Sequence, residues 1–154
     1  NLEREDLLIK IPILLKISPD LEADNLKYLC EKVLSSKIDG LIISNTTISR
    51  DSISTDTLEK GGLSGKPIFD ISTKQLRMTY KYTNGKIHLI GVGGVDSAEK
   101  AYEKIKNGAS LIQLYTGLVY NGPNLIKDIN EDLSSLIERD GYSNISEAVG
   151  AEVN

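Results

Sequence analysis

The 154-residue sequence contains one cysteine, one histidine, one phenylalanine, one methionine and no tryptophan. A lone cysteine, Cys30, excludes an internal disulfide and a cysteine-rich metal site, and its place in a helical pattern marks a buried structural thiol rather than a nucleophile. The lone histidine, His88, stands on a strand without a recognisable carboxylate or serine partner, so it reads as a packed strand residue rather than a catalytic base. No apolar run approaches the roughly 20 residues of a membrane span, and no signal-peptide pattern opens the chain. Residues 1–10 carry no methionine and mix charges with Leu and Ile, which reads as a cut or a loop rather than a natural beginning. A basic field is missing too. The 18 Lys and Arg stand against 22 Asp and Glu, a net charge of -4, and no basic cluster offers the electrostatic footprint of nucleic-acid binding.

What is present suffices for one core: 40% of the residues are apolar, and residues 1–154 read as a single soluble segment with no linker or low-complexity stretch. The chain is organised around residues 87–117, IHLIGVGGVDSAEKAYEKIKNGASLIQLYTG. An apolar run ends in a glycine turn, a helix follows, and a second apolar run ends in another small-residue turn, which makes one strand-helix-strand unit. Loops at the carboxyl ends of such strands are where α/β proteins bind ligands. Gly91, Gly93 and Gly94 free the backbone so that amide N–H groups can approach an anion, and the same turn also serves simply to change direction. Asp96 reads as the cap of the next helix, with Glu99 completing a capping box.

In chain order, residues 11–17 (IPILLKI) suit a parallel strand buried on both faces. Lys16 interrupts it. A charge there either reaches water at the strand end or faces a bound anion, and the strand alone leaves both open. A helix is expected over about 21–36, with Leu26, Leu29, Cys30, Val33 and Leu34 at helical spacing, followed by a strand over 40–44. That strand runs into Ser44-Asn45-Thr46-Thr47, a ligand-facing loop or an Asx or Ser/Thr turn. The long loop over 48–66 closes in Gly61-Gly62-Leu63-Ser64-Gly65-Lys66-Pro67, and long ordered loops in compact domains are usually functional. Ser72 reads as the N-cap of a helix reaching about residue 82, on which Met78, Tyr80 and Tyr82 are packing residues, and Asn84-Gly85 ends it. A third strand over 88–92, a helix over about 97–106 closed by Asn107-Gly108, a fourth strand over 110–115, a loop over 117–123, and a helix over about 125–139 complete the series before a short tail.

These are four βα units in sequence. Right-handed crossovers would curl them into an arc with the helices outside, which is half of a (β/α)8 barrel, a fold that needs roughly 250 residues. The two open strand edges would require the other half as a partner. A complete small doubly wound sheet is the structural alternative.

The segments LLKISPDL, GLIISNTT, GGLSGKP, IGVGGVDS and GASLIQLYTG, in this order, together with the Gly141-Tyr142 to Gly150 tail, resemble the carboxyl-terminal half of class 2, quinone-dependent dihydroorotate dehydrogenases. Tyr115 in QLYTG and the GGLSGKP loop favour class 2 over the soluble class 1 enzymes. The resemblance implies FMN as cofactor, oxidation of dihydroorotate to orotate in pyrimidine biosynthesis, and a quinone as second acceptor. By the same resemblance Lys16, Ser44, Gly65, Gly94, Tyr115 and Thr116 match FMN-contacting positions, with Lys16 near the pyrimidine edge of the flavin and the last three on the phosphate side. Asn45 and Thr46 match the pair that hydrogen-bonds the substrate ring, and residues 118–123, with an apolar Val119, resemble a wall of the quinone tunnel. The family's catalytic base, a serine in class 2, belongs to the amino-terminal half of the barrel, so no catalytic residue is expected in this chain. Its membrane-associating helices also precede the barrel, which implies a mitochondrial inner-membrane parent in a eukaryote, or one at the periphery of the cytoplasmic membrane otherwise. Another FMN or sugar-phosphate barrel would keep the glycine cradle without SNTT and QLYTG together, and the isolated segment, lacking the base, would be catalytically incompetent.

Overall fold

The computed structural model describes residues 11–53 and 60–153. The reading of residues 1–10 as a cut or loop, and the middle of the long loop over 48–66, lie outside the described residues.

Four strands, β1 (Leu14–Ile17), β2 (Gly40–Ile43), β3 (His88–Val92) and β4 (Leu111–Gln113), form one sheet in the order β1-β2-β3-β4. Every pairing is parallel. Helix α1 (Ala23–Leu34) connects β1 to β2, a 3-10 turn (Lys66–Ile68) running into α2 (Phe69–Thr83) connects β2 to β3, and α3 (Ala98–Lys106) connects β3 to β4. After β4 come α4 (Thr116–Asn121), α5 (Asn124–Arg139) and α6 (Ile145–Ala148).

Side chains alternate between the faces of a strand. One face sends Ile17, Leu41, Ile43 and Leu89 against Leu26, Cys30 and Val33 of α1 and Leu76 of α2. The opposite face, with Lys16, Ile42, Val92 and Gln113, contributes nothing to the helix-packed core clusters. A doubly wound sheet reverses its strand order and carries helices on both faces. Neither occurs among the described residues, so the four units form an arc of a (β/α)8 barrel whose bare face is the barrel interior. Among the described residues β1 and β4 are unpaired edges, and they expose Leu14, Leu15 and Leu111. Uncovered apolar edges are association surfaces, and a closed barrel removes them.

Several sequence expectations shift for local reasons. Strand β1 starts at Leu14 rather than Ile11 because its partner strand starts at Gly40, and the Ile13 amide instead donates to the Asp39 carboxylate at 2.6 Å. Helix α2 starts before Ser72, with Pro67 in the preceding 3-10 turn; Ser72 is an interior residue whose hydroxyl is within reach of both the Phe69 carbonyl, at 3.0 Å, and the Gly93 carbonyl, at 3.3 Å. The cap of α3 is Ser97, whose Oγ accepts from the Lys100 amide, so Asp96 and Glu99 form no capping box. The loop expected over 117–123 contains α4, which Gly122 ends at φ 77° with its amide on the Leu118 carbonyl at 2.9 Å. His88 is exposed rather than packed, because it opens β3 at the amino edge of the sheet. The tail turns back onto the body, with the Gly150 amide on the Ile105 carbonyl at 3.0 Å and Lys106 paired to Glu152 at 2.6 Å. Cys30 is fully buried, and its pKa is raised to about 11 by burial. Met78, Tyr80 and Tyr82 pack against the core around it.

Leu76 lies at the centre of this core with no exposed surface. Leu76→Ala in the complete protein should lower unfolding free energy by about 2–5 kcal/mol, the usual cost of a lost leucine side chain and the cavity it leaves. Urea denaturation with an unchanged slope would measure it, and a loss under 1 kcal/mol would show that the site collapses freely.

Candidate functional site

The eight positions singled out in the sequence, Lys16, Ser44, Asn45, Thr46, Gly65, Gly94, Tyr115 and Thr116, all line one cavity at the carboxyl ends of the four strands. Its volume is about 120 Å³, well below the roughly 300–1,000 Å³ of small-molecule pockets. The chain therefore forms a wall of a site rather than a closed pocket.

The register builds this wall. Pairing of Lys16 with Ile42 places the lysine on the bare face near the end of β1, where its ammonium is exposed and meets no acceptor among the described residues. Beyond β2 the ladder runs on for two residues: the Ser44 amide donates to the Val92 carbonyl at 3.1 Å and the Asn45 amide to the Ile17 carbonyl at 2.8 Å. The peptide between Ile43 and Ser44 is cis. Ser44 is buried, its hydroxyl donating to the Asn45 carbonyl at 3.0 Å. Asn45 Oδ1 accepts from the Thr46 amide at 2.9 Å, which leaves Asn45 Nδ2 and the Thr46 hydroxyl without protein partners among the described residues.

Residues that sequence reasoning passed over hold this loop in shape. Asp20 takes the Thr47 hydroxyl on Oδ1 and the Ile48 amide on Oδ2, the latter at 3.0 Å. Arg50 donates to the Thr47, Ile48 and Ser49 carbonyls through Nη1 and to the Gly61 carbonyl at 2.7 Å through Nη2. A β-carbon on Gly62 would overlap the Thr46 side chain, so the glycine loop packs directly against this threonine. The one signal in the sequence was position: a carboxylate three residues after β1 in SPD, and an arginine three after Thr47.

At the end of β3, Gly93 and Gly94 turn the chain at φ 111° and 75°. Their amides donate to no acceptor among the described residues. A β-carbon on Gly94 would lie 2.6 Å from Phe69 Cβ and 2.8 Å from its Cα. The glycine is thus required by the close approach of the turn to the start of α2 as well as by its backbone angles. Asp96 follows, bridged by Lys66 at 3.0 Å and Lys100 at 2.9 Å. Burial alone would raise its carboxyl pKa, but hydrogen bonds and charge from Lys100 and Lys66 outweigh that and hold it below the ordinary carboxylate value. At the end of β4, Tyr115 is exposed and the Thr116 hydroxyl donates to Ser64 Oγ at 3.0 Å, tying the GGLSGKP loop to α4.

A one-faced parallel arc with glycine and amide-rich loops at its carboxyl edge defines a portion of a ligand-binding (β/α)8 barrel. The family model described as dihydroorotate dehydrogenase matches residues 2–137, and the chain belongs to that family. It is 54% identical over 144 residues to dihydroorotate dehydrogenase (quinone), mitochondrial, of Arabidopsis thaliana, a match covering 92% of this chain and 31% of the relative. It is 48% identical over 147 residues to dihydroorotate dehydrogenase (quinone) of Parvibaculum lavamentivorans, covering 94% and 42%. Among solved structures, DHODH of Eimeria tenella in complex with ferulenol superposes with a TM-score of 0.89 at 34% identity, covering 96% of this chain and 40% of that one. The chain spans 31% to 42% of the length of these relatives.

The depressed Asp96 pKa has a sign that can be tested. Its contribution is fully present above the unfolded carboxylate value, roughly 4, and is lost as pH falls through the lower folded value. Asp96→Asn in the complete protein should therefore lower stability by about 1 kcal/mol near neutrality and hardly at all once the wild-type carboxyl is protonated. Thermal midpoints of both proteins across the acid range would check this; a gap that stays constant with pH would mean the two lysines do not depend on the charge.

Proposed function

We propose that this chain supplies one wall of the FMN and orotate site of a quinone-dependent dihydroorotate dehydrogenase, which oxidises dihydroorotate to orotate in pyrimidine biosynthesis. The remaining strands of the barrel complete the site, and the proton-abstracting base lies among them. The observation that carries this reading is the convergence, at one edge of the sheet, of donors that have no acceptor among the described residues: the Lys16 ammonium, Asn45 Nδ2, the Thr46 hydroxyl and the Gly93 and Gly94 amides.

The residues present fit FMN in chemistry as well as position. The glycine turn offers free amides to a phosphate where a β-carbon on either glycine would crowd Phe69, Ile68 or Ser72. Lys16 offers a cation some way along the wall, suited to a ring carbonyl edge. When bound, FMN would supply the redox chemistry that no side chain here provides. Lys16 would favour negative charge accumulating near it, and Asn45 and Thr46 would donate to the carbonyl and carboxylate oxygens of the substrate and so fix its orientation. Exposed Val119 and Tyr120 on α4, beside Tyr115, form the apolar flank we assign to quinone access. No helix among the described residues is long and apolar enough to cross a membrane; it is the family resemblance that assigns membrane attachment to segments preceding the barrel. A parent protein of eukaryotic origin would be mitochondrial, as the name of the plant relative has it, and one of other origin would lie at the periphery of the cytoplasmic membrane.

The test is quinone-dependent dihydroorotate oxidation by the complete yellow protein, set beside residues 1–154 alone. The isolated chain should not turn over, because loss of a general base costs roughly 10²–10⁴ in rate and loss of substrate orientation adds to it. Within the complete protein, Asn45→Asp should weaken orotate far more than FMN, since a carboxylate would face an anionic product in place of an amide donor. Titration of both ligands decides it, and equal loss of the two would make Asn45 a structural residue.

A further inference from the structure

Behind the Gly93–Gly94 turn, away from the cavity, Lys104 of α3 is fully buried. Its Nζ donates to Ser72 Oγ at 2.8 Å and to Thr73 Oγ1 at 3.0 Å, and lies 4.9 Å from the centre of the Phe69 ring. The Thr73 hydroxyl is committed to the Phe69 carbonyl at 2.8 Å. The Ser72 hydroxyl stands 3.0 Å from that same carbonyl and 3.3 Å from the carbonyl of Gly93. Lys104 pairs with no carboxylate among the described residues; Asp70 on α2 and Glu103 on α3 act on it only from a distance. Burying an amine without such a partner is costly, and burial pushes its pKa down to about 7. The stem is held as tightly as the tip, since a β-carbon on Gly91 would lie 3.1 Å from Lys104 Cδ.

The geometry of the peptide unit gives this arrangement a consequence. In a planar trans peptide the carbonyl of one residue and the N–H of the next point in opposite directions. A Gly93 carbonyl held toward Ser72 therefore aims the Gly94 N–H the other way, into the cavity. We propose that Lys104 is a positioning residue for the anion-binding turn: through the Ser72 hydroxyl it fixes the Gly93 carbonyl and so presents the Gly94 amide to a phosphate monoester. This rests on the reading above that the FMN phosphate occupies the turn. Lys104 itself touches no ligand.

The experiment compares FMN with riboflavin, which lacks the phosphate, binding to the complete apoprotein by flavin fluorescence quenching. In Lys104→Met and Ser72→Ala the dissociation constant for FMN should rise on the order of tenfold, the usual scale for a lost charge-assisted hydrogen bond. That for riboflavin should hold, and the double variant should be no worse than the single ones. An FMN-to-riboflavin ratio equal to wild type in these variants, including an equal loss of both flavins, would overturn the relay and leave Lys104 a packing residue. A wild-type protein that binds the two flavins alike would remove the phosphate reading itself, a separate failure. If Lys104→Met does not fold, Ser72→Ala, which deletes one hydroxyl, decides by the same ratio.

Discussion

The parallel register of the four strands is the constraint on which the site depends. Ile17, Ile43, Gly91 and Ile112 stand side by side across the sheet, so the four chains leave it at one edge and the loops that follow share a single space. A slip of one residue in β1 would send Lys16 into the helix-packed core and Ile17 to the bare face. The lysine is tolerable only in the observed register, because only there does a charged tip reach solvent or an anion. The same ladder continues through Ser44 and Asn45, which places a buried serine and an exposed asparagine by backbone hydrogen bonds before any loop conformation is chosen.

The loops are then fastened to one another by groups that stand a step behind the wall. Asp20 of the first unit holds Thr47 and Ile48 of the second, Arg50 ties that stretch to Gly61, Ser64 meets Thr116 of the fourth, and Lys66 crosses to Asp96 of the third. Each tie joins different βα units or the two ends of one long loop. A surface ion pair or hydroxyl contact contributes little to global stability on its own. Their value here is in fixing relative position, which is what a site assembled from four separate strand ends requires.

Much of this was legible before any coordinates. Strand β3 was readable to its ends because a glycine turn and the DS pair of the next helix bracket an apolar run, and the eight positions that the resemblance singled out line one cavity at the carboxyl edge, Lys16 from β1 itself. The errors were of kinds that sequence pattern hides. Residues 11–13 are apolar enough for a strand but lie ahead of the ladder, since β2 begins at Gly40 and Ile13 meets only Asp39, partly through its side chain. Ser72 has the chemistry of a cap, yet the helix was already under way from a proline-containing turn, and a buried hydroxyl serves another purpose there. Residues 117–123 look like a loop because they contain two glycines, although Gly122 is the stop signal of a short helix. Lys104 was detectable in principle: Ala98, Ala101 and Ile105 mark the inward face of α3, and position 104 lies on it. Charge masked the pattern, because a lysine is ordinarily counted to the solvent side.

The electrostatics of the wall follow from the same economy of charge. The chain is acidic overall, at -4, and a long-range field would repel an anionic cofactor or product. Any attraction must then be local, within a Debye length of about 8–10 Å. Asp96, the carboxylate nearest the glycine turn in sequence, would oppose it if free, but two lysines bracket it at hydrogen-bonding distance. One negative and two positive groups leave that corner at +1, and the open amides of the turn add partial positive charge without any side chain. Lys104 acts from behind through its hydrogen bond to Ser72 rather than as a full charge, since burial pushes its pKa down to about 7. A cradle built this way selects an anion by geometry at short range, which is compatible with an acidic surface and with a site whose other wall lies elsewhere in the barrel.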